Sequence, residues 1–255
     1  MRKILTALCV MLLTLIFISA EKKQELTGEE LAQKIDTREQ PKTMKATMTM
    51  VLIDKKGNKR ERKVSSIREG DEKMLMWFLA PADEKGVSFL RKSYEDRDDD
   101  MWLYLPAFGK VRRIASHAKK GNFMGTDFTY EDMGDRKIKN YTYKILKEEK
   151  IDNKDYWVLE WTPKENVDTD YSKIISWVWK ENYSPIIEEF YDKTGEKKKI
   201  KKMDVEKKDK YWLPVKMVME DIKANHKTEM YFEDIKVDEK LEDSVFTTSY
   251  MQRVR

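Results

Sequence analysis

The sequence predicts a mainly β protein, built as one curved antiparallel sheet of sandwich or barrel type with a few helices. Three observations carry that expectation. Apolar residues recur with a period of two over most of the chain. Short turn signals cut these runs at regular spacing. A helical apolar stripe is clear in one segment near the N-terminus, and no linker or sequence repeat divides the chain.

The first segment is neither strand nor helix of the folded body. Arg2 and Lys3 precede an uncharged, mostly apolar run from Ile4 to Ile18. Ser19 and Ala20 are small, and charges resume at Glu21. That order is a secretory signal, expected to be cleaved after Ala20. The apolar run is shorter than the roughly 20 residues that span a bilayer. The sole cysteine, Cys9, lies inside this run, in a context unsuited to lipid attachment. The expected mature chain, 21–255, therefore lacks thiols and disulfides and is released as a soluble periplasmic protein, one domain stabilised by packing alone.

Thr27-Gly28-Glu29-Glu30 reads as a capping box. Leu31, Ala32 and Ile35 follow as one apolar stripe, and Pro41 ends the helix. Period two then takes over. Met44, Ala46, Met48, Met50 and Leu52 alternate with Lys45, Thr47, Thr49, Val51 and Ile53. Further strands are expected at 59–67, 73–80, 87–91 and 101–105. In the second half they fall at 141–148, 156–162, 172–180, 186–191, 198–206, 215–221 and 227–235. The turns between them include Lys56-Gly57-Asn58, Asp152-Asn153, Tyr183-Ser184-Pro185 and Thr194-Gly195. On the expected inward faces, Ile175, Trp177 and Trp179 form one row. Val215, Met217 and Met219 form another, and Thr228, Met230 and Phe232 a third. With 15 Met and 7 Trp, such faces suit a sheet wrapped around an adaptable apolar cavity.

Charge excludes other classes. Lys and Arg number 51 and Asp and Glu 47, mixed in sign along most of the chain, giving +4 overall and +2 once Arg2 and Lys3 are removed. A nucleic-acid binder carries a one-signed field instead. The basic 197–202 run is read as a solvated hairpin, and the paired acids Glu131-Asp132 and Glu188-Glu189 as solvated too. Two histidines, His117 and His226, stand far apart. No hydrolase elbow, phosphate loop or dinucleotide fingerprint is present. No enzyme, metal or cofactor is expected.

The segment 101–133 is the most specific. It reads Met101-Trp102-Leu103-Tyr104-Leu105-Pro106, then Val111-Arg112-Arg113-Ile114, then Phe123-Met124-Gly125-Thr126-Asp127-Phe128-Thr129-Tyr130-Glu131-Asp132-Met133. In the third piece Gly125 suits a tight turn, and Thr126 or Asp127 is placed to cap a short helix through Phe128, Tyr130 and Met133. These pieces, with the closing Leu241–Thr247 stretch, resemble the outer-membrane lipoprotein-sorting proteins, relatives of the periplasmic lipoprotein carrier (LolA-like).

The resemblance covers most of the expected mature chain. It implies a half-open antiparallel β-barrel with helices plugging an apolar cavity that holds acyl chains of a lipoprotein or lipid. It also implies membrane partners, an inner-membrane exporter and an outer-membrane acceptor, for a monomeric carrier. Expected lipid contacts on strands are Trp77, Phe89, Trp102, Trp177, Trp179, Met217, Met219 and Met230. In the middle motif they are Phe123, Met124, Phe128 and Tyr130, with 123–133 as a lid pivoting at Gly125 or a static plug. Arg112 and Arg113 are placed to latch that lid or meet a headgroup; the alternative is surface ion pairing with the 96–100 or 131–132 acids. A competing reading is an exporter's periplasmic adaptor with no ligand of its own.

Overall fold

The computed structural model describes residues 26–253; the expected signal lies outside them. Helix α1 spans Gly28–Asp36 and is closed by the expected box. Thr27 Oγ1 accepts from the Glu30 amide, and the Glu30 carboxylate accepts from Thr27 N. Its stripe of Leu31, Ala32 and Ile35 is buried. Gly28 sits against Tyr143: a Cβ there would lie 2.8 Å from the Tyr143 backbone, so only glycine permits the approach.

Thirteen strands follow: β1 Thr43–Ile53, β2 Lys59–Glu69, β3 Lys73–Ala80, β4 Ser88–Lys92, β5 Asp100–Leu105, β6 Lys110–Arg113, β7 Tyr141–Ile151, β8 Lys154–Pro163, β9 Tyr171–Trp179, β10 Pro185–Asp192, β11 Lys197–Lys208, β12 Tyr211–Asp221 and β13 His226–Val237. A one-turn helix, α2, covers Thr248–Met251. Twelve of these strands match the expected ones within a few residues. The unexpected one is β6, four residues long and basic, with three of its side chains exposed; nothing in it alternates apolar with polar.

All thirteen strands join in one antiparallel sheet, in the order β6-β5-β4-β3-β2-β1-β13-β12-β11-β10-β9-β8-β7. The chain's two halves thus meet where β1 pairs with β13. The strands at the two ends of that order, β6 and β7, are consecutive in sequence. Their connection, 114–140, runs from one open side of the curved sheet to the other. The sheet does not close, so the architecture is a half-open barrel.

Its two faces bury different clusters. The concave side holds the main core, including Leu31, Met48, Met50, Phe78, Phe89, Phe123, Leu159 and Met230. The other face of β2–β5 buries Leu75, Trp77 and Leu90 beneath Val245, Phe246 and Met251 of the C-terminal segment.

Two expected orientations are corrected. In the middle of β9 the buried positions are Ile174, Ser176 and Val178, while Ile175 and Trp177 are half-buried on the alternate face; of the expected row only Trp179 is buried. The expected helix through Phe128, Tyr130 and Met133 is absent. A single 3-10 turn at Phe123–Gly125 leads into non-helical turns, because Met124 and Gly125 both take positive φ, 49° and 74°.

Candidate functional site: a methionine-floored cavity

A cavity of about 370 Å³ opens between α1, the sheet and the 128–138 stretch. Its volume falls in the range of small-molecule sites, roughly 300–1,000 Å³. Nine methionines line it: Met44, Met48, Met74, Met76, Met133, Met203, Met217, Met219 and Met230. The strand register explains the concentration. Met203 pairs with Met217, Met217 with Met230, and Met230 with Met50, one direct-neighbour row across four strands. Adjacent positions bring Phe232 opposite Met48. A floor of unbranched thioethers adapts to many apolar shapes. Other depressions among the described residues, of about 360 and 410 Å³, are lined largely by charged and polar side chains.

The cavity collects four of the expected contacts, Phe128, Met217, Met219 and Met230. Phe89, Phe123, Tyr130 and Met124 lie in or against the same concave core. Phe123 is fully buried, edge-on to Phe89 at 5.0 Å and Tyr130 at 5.5 Å. Trp77 and Trp102 belong to the opposite face. Met76 and Phe78 take the concave side, so alternation sends Trp77 outward, where its Nε1 donates to the Met251 carbonyl at 3.2 Å. Trp177 lies outside the cavity, its Nε1 donating to Glu149 at 2.8 Å. Trp179 is buried edge-on against Trp212, itself a lining residue, at 4.8 Å.

Arg112 and Arg113 form no latch in this structure. Arg113 pairs with Asp100, one of the 96–100 acids, whose carboxyl is pushed down to about 2 by Arg97 and Arg113. Arg112 lies over the exposed Phe108 ring. The arginine that holds the middle motif is Arg62 of β2, buried and paired with Glu84 at 2.6 Å, with Nη1 donating to the Met124 carbonyl at 2.7 Å.

The rest of 123–133 is fastened by polar groups, two of which, Lys199 and Asp132, are buried although the sequence reads them as solvated. Lys199, 1% exposed, donates to the Asp127 carbonyl at 2.6 Å and pairs with Asp132 at 3.3 Å. Tyr171 OH donates to Asp132 at 2.8 Å. Asp127 accepts from Thr228 Oγ1 at 2.7 Å and meets His226 Nδ1 at 2.8 Å. The segment is therefore a plug tied to β2, β9, β11 and β13.

A second buried group sits in the cavity wall. Glu188, 1% exposed, binds Arg136 and Lys201 and accepts from Ser176 Oγ at 3.0 Å. Burial alone raises its carboxyl, but Arg136 and Lys201 hold it well below the usual carboxylate range. Arg136 also lies 5.2 Å from the Trp161 ring and 5.6 Å from Phe190. The 197–202 run and the 131–132 and 188–189 acid pairs are thus not wholly solvated. In β11, Lys199 and Lys201 point inward with Met203, while Lys202 between them and Met203 is exposed. No group of three or more His, Cys, Asp or Glu suited to a metal occurs among the described residues, and none of their helices is long and apolar enough to cross a membrane.

Residues 70–253 match a family described only as an uncharacterized protein. A Vibrio parahaemolyticus domain, described as an outer membrane lipoprotein-sorting protein, is 34% identical with a TM-score of 0.81. The match covers 89% of this chain and 98% of that one. The chain belongs to the outer-membrane lipoprotein-sorting protein family. A DUF1329 family protein from Desulfovibrio piger is 29% identical, with a TM-score of 0.83 over 88% of this chain and 97% of that one. A LolA superfamily protein from Nitrosomonas europaea shares the fold at 22% identity, with a TM-score of 0.70 over 88% and 99%. No curated protein matches the chain. What the family holds in common here is the half-open barrel; the methionine floor and the buried ions are read from this chain's own residues.

Proposed function

We propose that this protein is a periplasmic carrier that shelters the acyl chains of a lipoprotein or lipid in the methionine-floored cavity and moves them between membranes. The observation that carries this reading is the continuous Met203–Met217–Met230 row, extended into the core by Met50, beneath an open, ligand-sized space. Each buried methylene contributes about 0.8 kcal/mol, so a 16-carbon chain represents about 12 kcal/mol gross. A tightly complementary pocket would hold such a chain too long. A flexible floor recovers part of that energy and permits release.

Opening falls to α1 in this account. It lines the cavity through Ile35 and Asp36, and its contact with the sheet is apolar, around Gly28 and Leu31. The plug is instead held by buried ion pairs and hydrogen bonds, so it forms the fixed wall. The expected pivot at Gly125 is not required.

The test is extraction of lipid from protein purified under native conditions, read by mass spectrometry. One bound acyl-chain molecule per protein supports the carrier. Repeated isolation without lipid, together with failure to take up added lipid, leaves the ligand-free adaptor as the reading.

A further inference from the structure

The cavity has a polar end that its apolar floor does not explain. Arg38, just after α1, Arg68 of β2 and Arg91 of β4 all line it. These guanidiniums are poorly neutralised. Arg68 reaches Asp71 only at 3.7 Å and Arg91 reaches Asp99 only at 3.6 Å. Arg38 donates to the Ile35 carbonyl. The Nε of Arg68 and the Nε of Arg91 are buried with no hydrogen-bond acceptor among the described residues. Arg136 and Lys201, in the same cavity, both make close ion pairs with the one carboxylate of Glu188.

The carboxylates that face Arg68 and Arg91 are shared with other donors. Asp71 is half exposed and accepts from Gln40 Nε2 at 2.8 Å. Asp99 is shared among Ser93, the Asp135 amide and Lys137. Burial raises the Asp36 and Asp135 carboxyls from their ordinary values, and Arg38 and Arg91 oppose that rise. Burial also pushes Arg38 and Arg68 down; Asp71 opposes this for both, while for Arg68 the neighbouring Arg38 and Arg91 add repulsion. Three guanidiniums therefore converge on a wall of the cavity where the ion pairs of Arg68 and Arg91 are long and their buried Nε–H groups have no acceptor among the described residues. A planar guanidinium is suited to bind phosphate or carboxylate through paired N–H donors.

We propose that this end of the cavity binds the anionic headgroup, phosphate or carboxylate, of an amphiphile whose chains lie along the methionine floor. The proposal rests on the carrier reading and narrows it: the cargo is an anionic lipid, in preference to a neutral acyl chain alone. A charge-assisted hydrogen bond is worth about 1.5–3 kcal/mol, so the headgroup should add about tenfold or more in affinity.

The experiment is a binding series on delipidated full-length protein, followed by native mass spectrometry and fluorescent-lipid displacement. The probes are dioleoyl phosphatidylglycerol, dioleoylglycerol, glycerol phosphate and inorganic phosphate. The expected result is at least tenfold tighter binding of phosphatidylglycerol than of dioleoylglycerol. Arg68→Gln and Arg91→Gln should each erase most of that preference while leaving dioleoylglycerol affinity within about twofold. Arg68→Lys, which keeps the charge, should retain part of it and guards against a folding defect in the glutamine variant. Equal binding of the two lipids, or an unchanged preference in both glutamine variants, overturns the proposal. Glycerol phosphate or inorganic phosphate binding as tightly as phosphatidylglycerol would make this a free-anion site and overturn it too. Failure of both lipids to bind overturns the carrier reading itself.

Discussion

Replacing Lys199 with methionine should loosen the plug more than its place in a lysine-rich strand suggests. The side chain is 1% exposed and its partner Asp132 6% exposed, so the substitution strands a buried carboxylate. Removing one partner of a buried pair costs about 3–5 kcal/mol. Asp132 keeps the Tyr171 hydroxyl and the Thr129 amide, both at 2.8 Å, which places the loss at the lower end, about 3 kcal/mol. For a domain of this size that is a fall in Tm of about 6–12 °C. Lys202→Met, on the exposed side of the same strand, should change stability by no more than about 0.5 kcal/mol. Calorimetry at pH 7 gives both values, and hydrogen exchange locates the change. Amides of 121–134 should exchange faster in Lys199→Met, while those of β1 and β2 keep their relative protection. Equal Tm values for the two variants would refute the buried-anchor reasoning. So would unchanged exchange in the plug.

Glu188→Gln should flatten the acid end of the stability profile. Its carboxyl lies below its ordinary value of 4.5 in the folded protein, so its contribution is present above about pH 4.5 and is lost as pH falls towards the folded value. The Tm gap between the parent and Glu188→Gln should therefore be widest near neutrality and narrow below about pH 4.5; a gap that widens in acid would reverse the sign. Gly28→Ala forces a Cβ into the Tyr143 backbone and should cost about 1–3 kcal/mol, with faster exchange confined to α1. An unchanged exchange rate would show that α1 does not depend on that close approach. Met217→Trp fills the floor at a half-buried position and should cut the amount of bound lipid at least severalfold with the barrel intact by circular dichroism; full lipid occupancy would move the binding site elsewhere.

Strand positions were legible because β1 alternates cleanly along its whole length, and the hairpin turns carry the expected residues. The capping box at Thr27 was equally local. What sequence could not supply was phase where both faces of a strand are covered. Leu75, Met76, Trp77 and Phe78 are all buried, so composition gives no hint that Met76 and Phe78 face the cavity while Trp77 faces the C-terminal segment. The same ambiguity misassigned Trp177. The buried ions were hidden for another reason. Lys199 and Glu188 each sit in charged runs, and their burial depends on partners 67 residues away in Asp132 and 52 residues away in Arg136. A period-two reading of 199, 201, 203 and 205 in β11 was the available signal, since Met203 and Val205 mark the inward phase that Lys199 and Lys201 share. Arg62 carried no local mark at all; its contact with Met124 exists only because the 114–140 connection crosses the barrel.

The most direct test places a photo-crosslinking amino acid at Met230, on the concave floor, and at Trp77, on the opposite face, in protein offered an alkyne-tagged fatty-acyl lipid. Labelling is expected at Met230, competed by untagged lipid, with at most background at Trp77. Equal labelling at both positions, or labelling at Trp77 alone, would contradict the carrier reading.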